Sequence, residues 1–393
     1  MTGEAVIAAS RTHEFGVYAR QPVVFARGRG CELWDTDGKR YLDFFAGLAV
    51  NNLGHCHPAV VEAVRRQAGT LMHVSNLYHT EPTARLATLL CRHSFAERAF
   101  LCNSGAEANE AALKLARRWG ADHGGRYEIL ATQGSFHGRT FATLTATGQE
   151  KYHQGFQPLL PGIRLAPYGD VRALEAAVRD ETVAILLEPV QGEGGVLVPA
   201  PSYLPAVREL ADRKGLLLIL DEVQCGLGRT GRLFAHEHAG ISPDIMTLAK
   251  ALGGGLPIGA MLATERIAQA FAPGSHGSTF GGNPVACAAA AASLEALADP
   301  ALLEHVRAMG QHFRAGLERL AARHRTIRTV RGLGLMLGAE LDRPGQPVVA
   351  ACLERGLLVN CTAERVLRFL PPLIVGREEI DEGLAILDEA LGA

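Results

Sequence analysis

The sequence predicts an α/β protein with a large domain, built on a mostly parallel sheet flanked by helices, and a smaller α+β domain. From about residue 50 to 290, helical runs alternate with short apolar runs, which is typical of α/β folds. The apolar runs in RAFLCNSG, VAILLEP and LLLILDE are continuous, as expected for strands buried on both faces. After residue 290, IRTVRGLGLMLGAEL and LLVNCTAERVLRFLPPLIV alternate like a half-buried antiparallel sheet.

The chain is expected to divide into three segments. Residues 1–50 form an arm and a hairpin that belong to the small domain, because the strand-like runs GRGCELWD and RYLDFFAG meet at the turn signal Thr36-Asp37-Gly38-Lys39. Residues 51–290 form the large domain and 291–393 the C-terminal small domain. Ligands of open parallel sheets bind outside the carboxyl ends of the strands, so the functional residues are expected just after the apolar runs.

Composition excludes several classes of protein. A formal net charge of −2 over 393 residues argues against nucleic acid as a partner and favours small molecules. No segment approaches the roughly 18 apolar residues of a membrane span, and the N-terminus lacks a signal-peptide pattern, so we expect a cytoplasmic protein. The eight scattered cysteines predict reduced thiols. The two His-x-His sequences, at 55–57 and 236–238, lack zinc-site spacing, so no metal is expected.

Lys250 is the most informative of the five lysines. It follows the apolar segment DIMTLA and precedes ALGGG, which predicts a partly desolvated amine with a lowered pKa. The alternative is a surface lysine whose stem alone is buried. Asp221 ends the run LLLILDE and either extends a carboxylate into a cleft or caps a helix.

Two further segments suggest phosphate contacts. Ser104, Gly105 and Ala106 follow a strand and open the helical run AEANEAALKLARRW, where free backbone N–H groups hold phosphate, although ordinary serine capping explains the same pattern. Thr279 offers a hydroxyl in the glycine-rich GSHGSTFGGNP. The G-x-G-x-x-G spacing at 226–231 is followed by RLFAHEHAG, a poor dinucleotide-binding helix.

Taken together, several motifs resemble the class III, ornithine-type aminotransferases. These are NSGAEANEAALKLAR, FHGRTFATLTATGQEKYHQGF, EPVQGEGGV, LDEVQCGLGRTG, PDIMTLAKALGGG and HGSTFGGNP. The resemblance extends from the hairpin near residue 35 to LRFLPPL near 373. It implies fold type I of the pyridoxal-phosphate enzymes, with 51–290 as the cofactor-binding domain, and a homodimer whose active sites lie at the subunit boundary.

The resemblance also implies roles for individual residues. Lys250 is the lysine that carries pyridoxal 5'-phosphate as a Schiff base and moves the proton, and Asp221 pairs with the pyridinium nitrogen. The other implied cofactor contacts are the ring faces at Phe136 and Val223, the phenolic oxygen at Gln224, the phosphate at Ser104, Gly105 and Ala106, and the partner subunit's phosphate at Thr279.

Substrate binding is implied at four positions. Arg139 holds a substrate carboxylate, and Arg368 binds the α-carboxylate of 2-oxoglutarate or glutamate in bidentate fashion. Glu193 pairs with Arg368, so that one movable ion pair masks the arginine for the amine donor and exposes it for the dicarboxylate. Ser278, beside Thr279, is expected to contact the substrate as well.

Leu48 guides the choice of donor. Aligned through GHCHP, it falls where ornithine aminotransferase has a tyrosine that contacts the free α-amino group, and an apolar residue suits an acylated amine better. N-acetylornithine is therefore preferred over ornithine, with succinylated ornithine and diaminopimelate derivatives next. The rival interpretations are an aminomutase of the glutamate-semialdehyde type, a non-catalytic cofactor binder, and a nicotinamide oxidoreductase.

Overall fold

A computed structural model describes residues 2–392, and in that range it has three sheets, the thirteen segments α1–α13 and three short 3-10 segments. The strands are β1 Phe25–Arg29, β2 Glu32–Asp35, β3 Arg40–Asp43, β4 Arg98–Cys102, β5 Glu128–Thr132, β6 Ile163–Ala166, β7 Thr182–Leu187, β8 Leu217–Asp221, β9 Ile245–Leu248, β10 Gly259–Ala263, β11 Ile327–Leu333, β12 Met336–Leu341, β13 Leu357–Leu358, β14 Asn360–Thr362 and β15 Val366–Phe369. The helices are α1 Gly3–His13, α2 Ala46–Ala49, α3 Pro58–Ala68, α4 Glu81–Arg92, α5 Gly105–Asp122, α6 Phe141–Ala146, α7 Val171–Ala177, α8 Tyr203–Lys214, α9 Glu265–Ala268, α10 Pro284–Leu297, α11 Pro300–Arg323, α12 Gln346–Glu354 and α13 Arg377–Gly392.

A seven-stranded sheet forms the centre of the molecule, in the order β4-β10-β9-β8-β7-β5-β6. All neighbours pair in parallel except β10, which is antiparallel to both β4 and β9. Successive side chains of the inner strands enter two different cores: Leu217 and Ile219 pack with α5, whereas Leu218 and Leu220 pack with α8. The α/β prediction is therefore confirmed, and burial on both faces explains the continuous apolar runs.

Strand β4 departs from that pattern because it lies at the edge of the sheet. Its residue Arg98 is exposed, and Ala99 and Phe100 are only half-buried. The expectation that RAFLC is buried on both faces is therefore wrong for its first three residues. Since β10 is antiparallel to both neighbours, β4 still runs in the direction of β9, and its carboxyl end reaches the same edge as those of β7, β8 and β9.

Two four-stranded sheets complete the fold. The hairpin of β2 and β3 is as predicted, but GRGCELWD is two strands rather than one, because the chain reverses at Gly30, where φ is +57°. The first sheet has the order β1-β2-β3-β13 and so joins the N-terminal segment to residues 357–358. The second, antiparallel sheet has the order β11-β12-β15-β14. The division at residues 50 and 290 stays a prediction.

Arg229 links four separate parts of the chain. Its side chain is fully buried, and Nη1 donates to the carbonyls of Leu335 at 2.9 Å and Pro371 at 2.6 Å, while Nη2 donates to Asn52 Oδ1. Within residues 2–392 it forms no ion pair. Burial lowers the pKa of Arg229 to about 9, opposed by the charge of Asp43. This guanidinium therefore joins the N-terminal segment and the C-terminal sheet to the loop after β8.

In the part of the chain that the structure describes, no single helix is long and apolar enough to cross a membrane. Helices α10 and α11 reach that length and composition only as a pair, across a bend of 66°. All eight cysteines are free thiols.

Candidate active site

A cavity of about 480 Å³ lies where the carboxyl ends of β4, β7, β8 and β9 meet. Each of these strands ends in a residue or short segment that lines the cavity, as expected for an open parallel sheet. The lining residues are Val50, Asn103, Ser104, Gly105, Ala106, Asn109, Phe136, His137, Gly138, Arg139, Glu188, Asp221, Val223, Gln224, Ala249, Lys250, Gly255, Leu256, Pro257 and Ile258.

Lys250 reaches the cavity from the turn that follows β9. Its backbone has φ +44° and begins the short 3-10 segment Lys250–Gly253. Burial lowers the pKa of the amine, and the charges of Glu193 and Asp221 only partly oppose this effect. An amine with a lowered pKa is more often neutral and therefore more nucleophilic.

Asp221 is held in a fixed orientation by a buried hydrogen-bond network. Its Oδ2 accepts from Asn109 Nδ2 at 2.7 Å and lies 2.8 Å from His137 Nδ1. Asn109 Oδ1 in turn accepts from the Thr247 hydroxyl at 2.7 Å, and Asp221 Oδ1 accepts from the Val223 N–H at 3.0 Å. Because the carboxylate is only 3% exposed, its charge is directed into the cavity rather than screened by water.

The N-terminus of α5 opens onto the same cavity. The Ser104 hydroxyl accepts from the Glu107 N–H at 3.1 Å, so ordinary capping is present, but the first N–H groups of a helix still have no partner within it. Gly105 allows a close approach, since a Cβ at this position would meet Val223 Cγ1 at 2.9 Å. The segment Ser104–Ala106 therefore offers backbone donors to an anion.

Phe136 and Arg139 form one wall of the cavity. The Phe136 N–H donates to Glu188 Oε2 at 3.3 Å, which fixes the backbone of this aromatic residue. The Arg139 guanidinium lies 5.4 Å from the ring centre of Phe136 and 4.1 Å from that of Tyr152. These cation–π contacts hold a positive charge at the cavity while leaving its N–H groups free for a carboxylate.

Arg368 and Glu193 form an ion pair beside the cavity. Arg368 Nη1 donates to Glu193 Oε1 at 2.6 Å and to Gln224 Oε1 at 3.1 Å, and Nε donates to Asn360 Oδ1 at 3.1 Å. Burial raises the pKa of Glu193, but Arg368 outweighs this effect, and the pKa is lowered overall. Arg368 is 1% exposed, so the pair must open before a substrate carboxylate reaches the guanidinium.

Besides Glu193 and Arg368, two further predicted residues, Ser278 and Thr279, lie outside the Lys250 cavity of their own chain. Thr279 lines a separate small cleft with His73 and Tyr78. The Ser278 hydroxyl accepts from the Gly281 N–H at 2.9 Å and from Asn103 Nδ2 at 3.2 Å, so it touches the cavity wall only through Asn103. Leu48 is half-buried and does not line the cavity; Val50 does.

Glu188, His137 and Asn109 are among the residues of this site that sequence reasoning missed. Glu188 ends the apolar run VAILLEP, and burial followed by the charge of Asp221 raises the pKa of its carboxyl well above the ordinary range. His137 and Asn109 stand inside the motifs FHGRT and NSGAEANEA. The position of Glu188 directly after a buried strand was the available signal. The G-x-G-x-x-G spacing at 226–231 is followed by a short 3-10 segment, Ala235–Ala239, and not by an α-helix.

The family model for aminotransferase class-III matches residues 16–391. The chain belongs to the class-III aminotransferases. An acetylornithine aminotransferase of Methanocaldococcus jannaschii is 53% identical over 391 residues, which is 99% of this chain and 98% of that protein.

Solved structures of class-III aminotransferases share the whole fold. An ornithine aminotransferase of Toxoplasma gondii, in which pyridoxal phosphate partly occupies the active site, has a TM-score of 0.96 at 37% identity, covering 99% of this chain and 94% of that one. An N-acetylornithine aminotransferase of Stenotrophomonas maltophilia has a TM-score of 0.85 at 39% identity, covering 98% of each chain. Fold type I and dependence on pyridoxal phosphate are thereby confirmed.

The residues of the cavity fit pyridoxal phosphate. A buried amine, a buried carboxylate and a helix N-terminus are the three groups that its aldehyde, ring nitrogen and phosphate require, and all three line one cavity. Within residues 2–392, no cluster of three or more His, Cys, Asp or Glu side chains is arranged to hold a metal ion.

Proposed function

We propose that this class-III aminotransferase moves the δ-amino group of N2-acetyl-L-ornithine to 2-oxoglutarate, giving N-acetyl-L-glutamate 5-semialdehyde and L-glutamate, and that it runs in the reverse direction in arginine biosynthesis. The Glu193–Arg368 ion pair is the observation that carries the proposal. When the pair is closed, Arg368 presents no free positive charge to the donor, whose carbon chain next to the δ-amine is uncharged. Several relatives that match nearly the whole chain are acetylornithine aminotransferases.

Lys250 and Asp221 are assigned to the chemistry. Pyridoxal phosphate, when bound, supplies an electron sink for the carbon next to the transferred nitrogen. Lys250, with its lowered pKa, would hold the cofactor and carry the proton between that carbon and the cofactor C4′. Asp221, fixed by Asn109 and His137, keeps the ring nitrogen protonated by its charge.

The remaining cofactor contacts position the ring and the phosphate. Phe136 and Val223 cover the two ring faces, Gln224 lies toward the phenolic oxygen, and the α5 N-terminus at 104–106 binds the phosphate. The support for these roles is that all of the residues line the same cavity as Lys250.

Three charged residues and Ser278 are assigned to the substrates. Arg139 binds the carboxylate that both substrates carry away from the reacting atom. Arg368 binds the α-carboxylate of 2-oxoglutarate once Glu193 has moved aside, and the lowered pKa of Glu193 keeps the pair ionised at neutral pH. Ser278 acts through its contact with Asn103.

The active unit is proposed to be a cytoplasmic homodimer. Thr279 lies outside its own chain's Lys250 cavity, so we assign it to the phosphate of the partner's cofactor. Mixed refolding of Thr279→Ala with Lys250→Ala chains tests this: a heterodimer then carries one intact site, and a statistical mixture should recover roughly a quarter of the parent activity. Activity no greater than the sum of the two inactive parents contradicts shared sites.

The choice of donor is tested by steady-state kinetics of the holoenzyme. Glutamate formation from 2-oxoglutarate is measured with N-acetylornithine, N-succinylornithine, ornithine and N-acetyldiaminopimelate derivatives, with Lys250→Ala as the inactive control. We expect kcat/KM to be at least about tenfold higher for N-acetylornithine than for ornithine, the factor that 1.4 kcal/mol sets. An equal or higher value for ornithine contradicts the proposed donor and leaves the aminotransferase activity in place.

A further inference from the structure

The segment α2, residues 46–49, is a single left-handed turn rather than a right-handed helix, and it lies at the edge of the active site. The φ angles are +48° at Ala46, +61° at Gly47, +72° at Leu48 and +59° at Ala49. Glycine adopts this region freely, but the Cβ of the other three residues opposes it. Four successive left-handed residues therefore persist only because neighbouring groups hold them.

Asp43 is the group that holds the start of the turn. Its carboxylate is 1% exposed, and Oδ1 accepts from the Phe45 N–H at 2.9 Å and the Ala46 N–H at 2.8 Å. Oδ2 lies 2.7 Å from Nε2 of His55. His55 is itself fixed by backbone hydrogen bonds to Gly30 in both directions. Asp43 thus ties the turn to the N-terminal sheet.

The turn leads directly to Val50, which lines the Lys250 cavity. The Val50 N–H donates to the Ala46 carbonyl at 2.8 Å, so its position depends on the turn. On the far side, Asn52 is anchored by Arg229 and donates from Nδ2 to the Leu227 carbonyl at 3.1 Å. All other residues in the cavity lining come from 103–258. Val50 is therefore the contribution of the N-terminal segment to the described cavity wall.

We propose that Asp43 is a positioning residue for the amine donor: by capping the left-handed turn it sets Val50 as an apolar wall against the acyl end of that substrate. The inference rests on the proposed function for the identity of the donor. The dicarboxylate partner is held mainly through charge by two arginines, whereas the acyl group is uncharged and depends on apolar contact. Displacing Val50 therefore weakens binding of the amine donor more than binding of the dicarboxylate acceptor.

The test compares Asp43→Ala with the conservative Asp43→Asn in the holoenzyme. The alanine variant removes both N–H contacts of the cap, while the asparagine oxygen retains them. For Asp43→Ala we expect KM for N-acetylornithine to rise about tenfold, the range set by a lost apolar contact, with KM for 2-oxoglutarate changed less than about twofold. Asp43→Asn should stay near the parent. Asp37→Ala, an exposed carboxylate of the neighbouring hairpin turn, is the matched control.

A second readout separates positioning from folding. Ala46→Gly with Ala49→Gly in the Asp43→Ala background should restore the donor KM, because glycine takes positive φ without the cap. N-acetylnorvaline, which lacks the reacting amine, should bind more weakly to Asp43→Ala, and its binding should recover when the two glycine substitutions are added. If Asp43→Ala does not fold, His55→Ala, which removes only the support of Oδ2, is measured in its place.

Two results overturn the inference: equal increases of both KM values, or lowered thermal stability with both KM values unchanged. If the parent rejects N-acetylornithine but accepts another amine, the proposed donor is wrong. The same comparison made with that amine then still decides whether Asp43 positions the donor.

Discussion

Replacing Arg229 tests whether the hydrogen bonds of its guanidinium or the cost of burying its charge has the larger effect on the free energy of unfolding. In Arg229→Met, the carbonyls of Leu335 and Pro371 and the side-chain oxygen of Asn52 lose their donor. Leaving a buried acceptor unpaired costs about 1–3 kcal/mol, or roughly 3–9 kcal/mol for three. Removing an unpaired buried cation returns several kcal/mol. We expect a net loss of about 3 kcal/mol.

The lysine variant makes the prediction sharper. Arg229→Lys retains the buried charge and its desolvation cost, but an ammonium cannot match the planar fork that reaches three acceptors. It should therefore be less stable than Arg229→Met, although it is the more conservative change in charge. Because the lysine keeps the buried charge but has fewer hydrogen-bond partners, stability should decrease from the parent to Arg229→Met and then to Arg229→Lys.

Calorimetry of the holoenzyme measures these differences. With an unfolding entropy of about 2.1 cal/mol/K per residue, a loss of about 3 kcal/mol in a chain of 393 residues lowers Tm by ~4 °C. Arg232→Met, at an exposed position of the same loop, is the control and should leave Tm unchanged. The reasoning would be refuted if either Arg229→Met or Arg229→Lys had the same Tm as the parent.

Three further changes address the active site. Lys250→Ala should abolish glutamate formation, and borohydride reduction followed by mass spectrometry should find no cofactor covalently bound. The pKa of the Glu188 carboxyl is raised, so the folded chain keeps a proton that the unfolded chain releases. Stability is therefore lost as the pH rises from the ordinary glutamate range toward the raised pKa. Glu188→Gln removes this loss, and its Tm should vary less than the parent's between pH 5 and 8. Glu193→Gln frees Arg368 from a full charge, so KM for 2-oxoglutarate should fall severalfold while discrimination between amine donors weakens; an unchanged KM would mean that the pair does not mask the arginine.

Much of the seven-stranded sheet could be predicted because its inner strands are buried on both faces, which leaves continuous apolar runs in the sequence. The ends of those runs also located Lys250, Asp221 and the segment 104–106, since a parallel sheet brings the carboxyl ends of its strands together. The reversal at Gly30 escaped because one glycine within a strand-like run does not distinguish a turn from a bulge.

The features that were missed depend on contacts between distant residues. Ala46, Leu48 and Ala49 carry no preference for positive φ, so a left-handed turn held by Asp43 leaves no local pattern. Arg229 is one of many arginines in the sequence, and its burial follows from carbonyls more than 100 positions away. The placement of Val50, rather than Leu48, in the cavity lining also depends on contacts between distant residues, so it was missed as well.

The pairing of β3 with β13 constrains how the chain folds as it is synthesised. The N–H groups of Leu42 and Phe44 donate to the carbonyls of Gly356 and Leu358, so the first sheet lacks its fourth strand until residues 357–358 have left the ribosome. Sheet pairing across such a sequence separation forms late, because the long loop must close first. Asp43 lies on β3, so until β13 pairs with β3, the strand that precedes the left-handed turn is paired only with β2. Synthesis of residues 357–358 is thus the step that allows the first sheet to be completed.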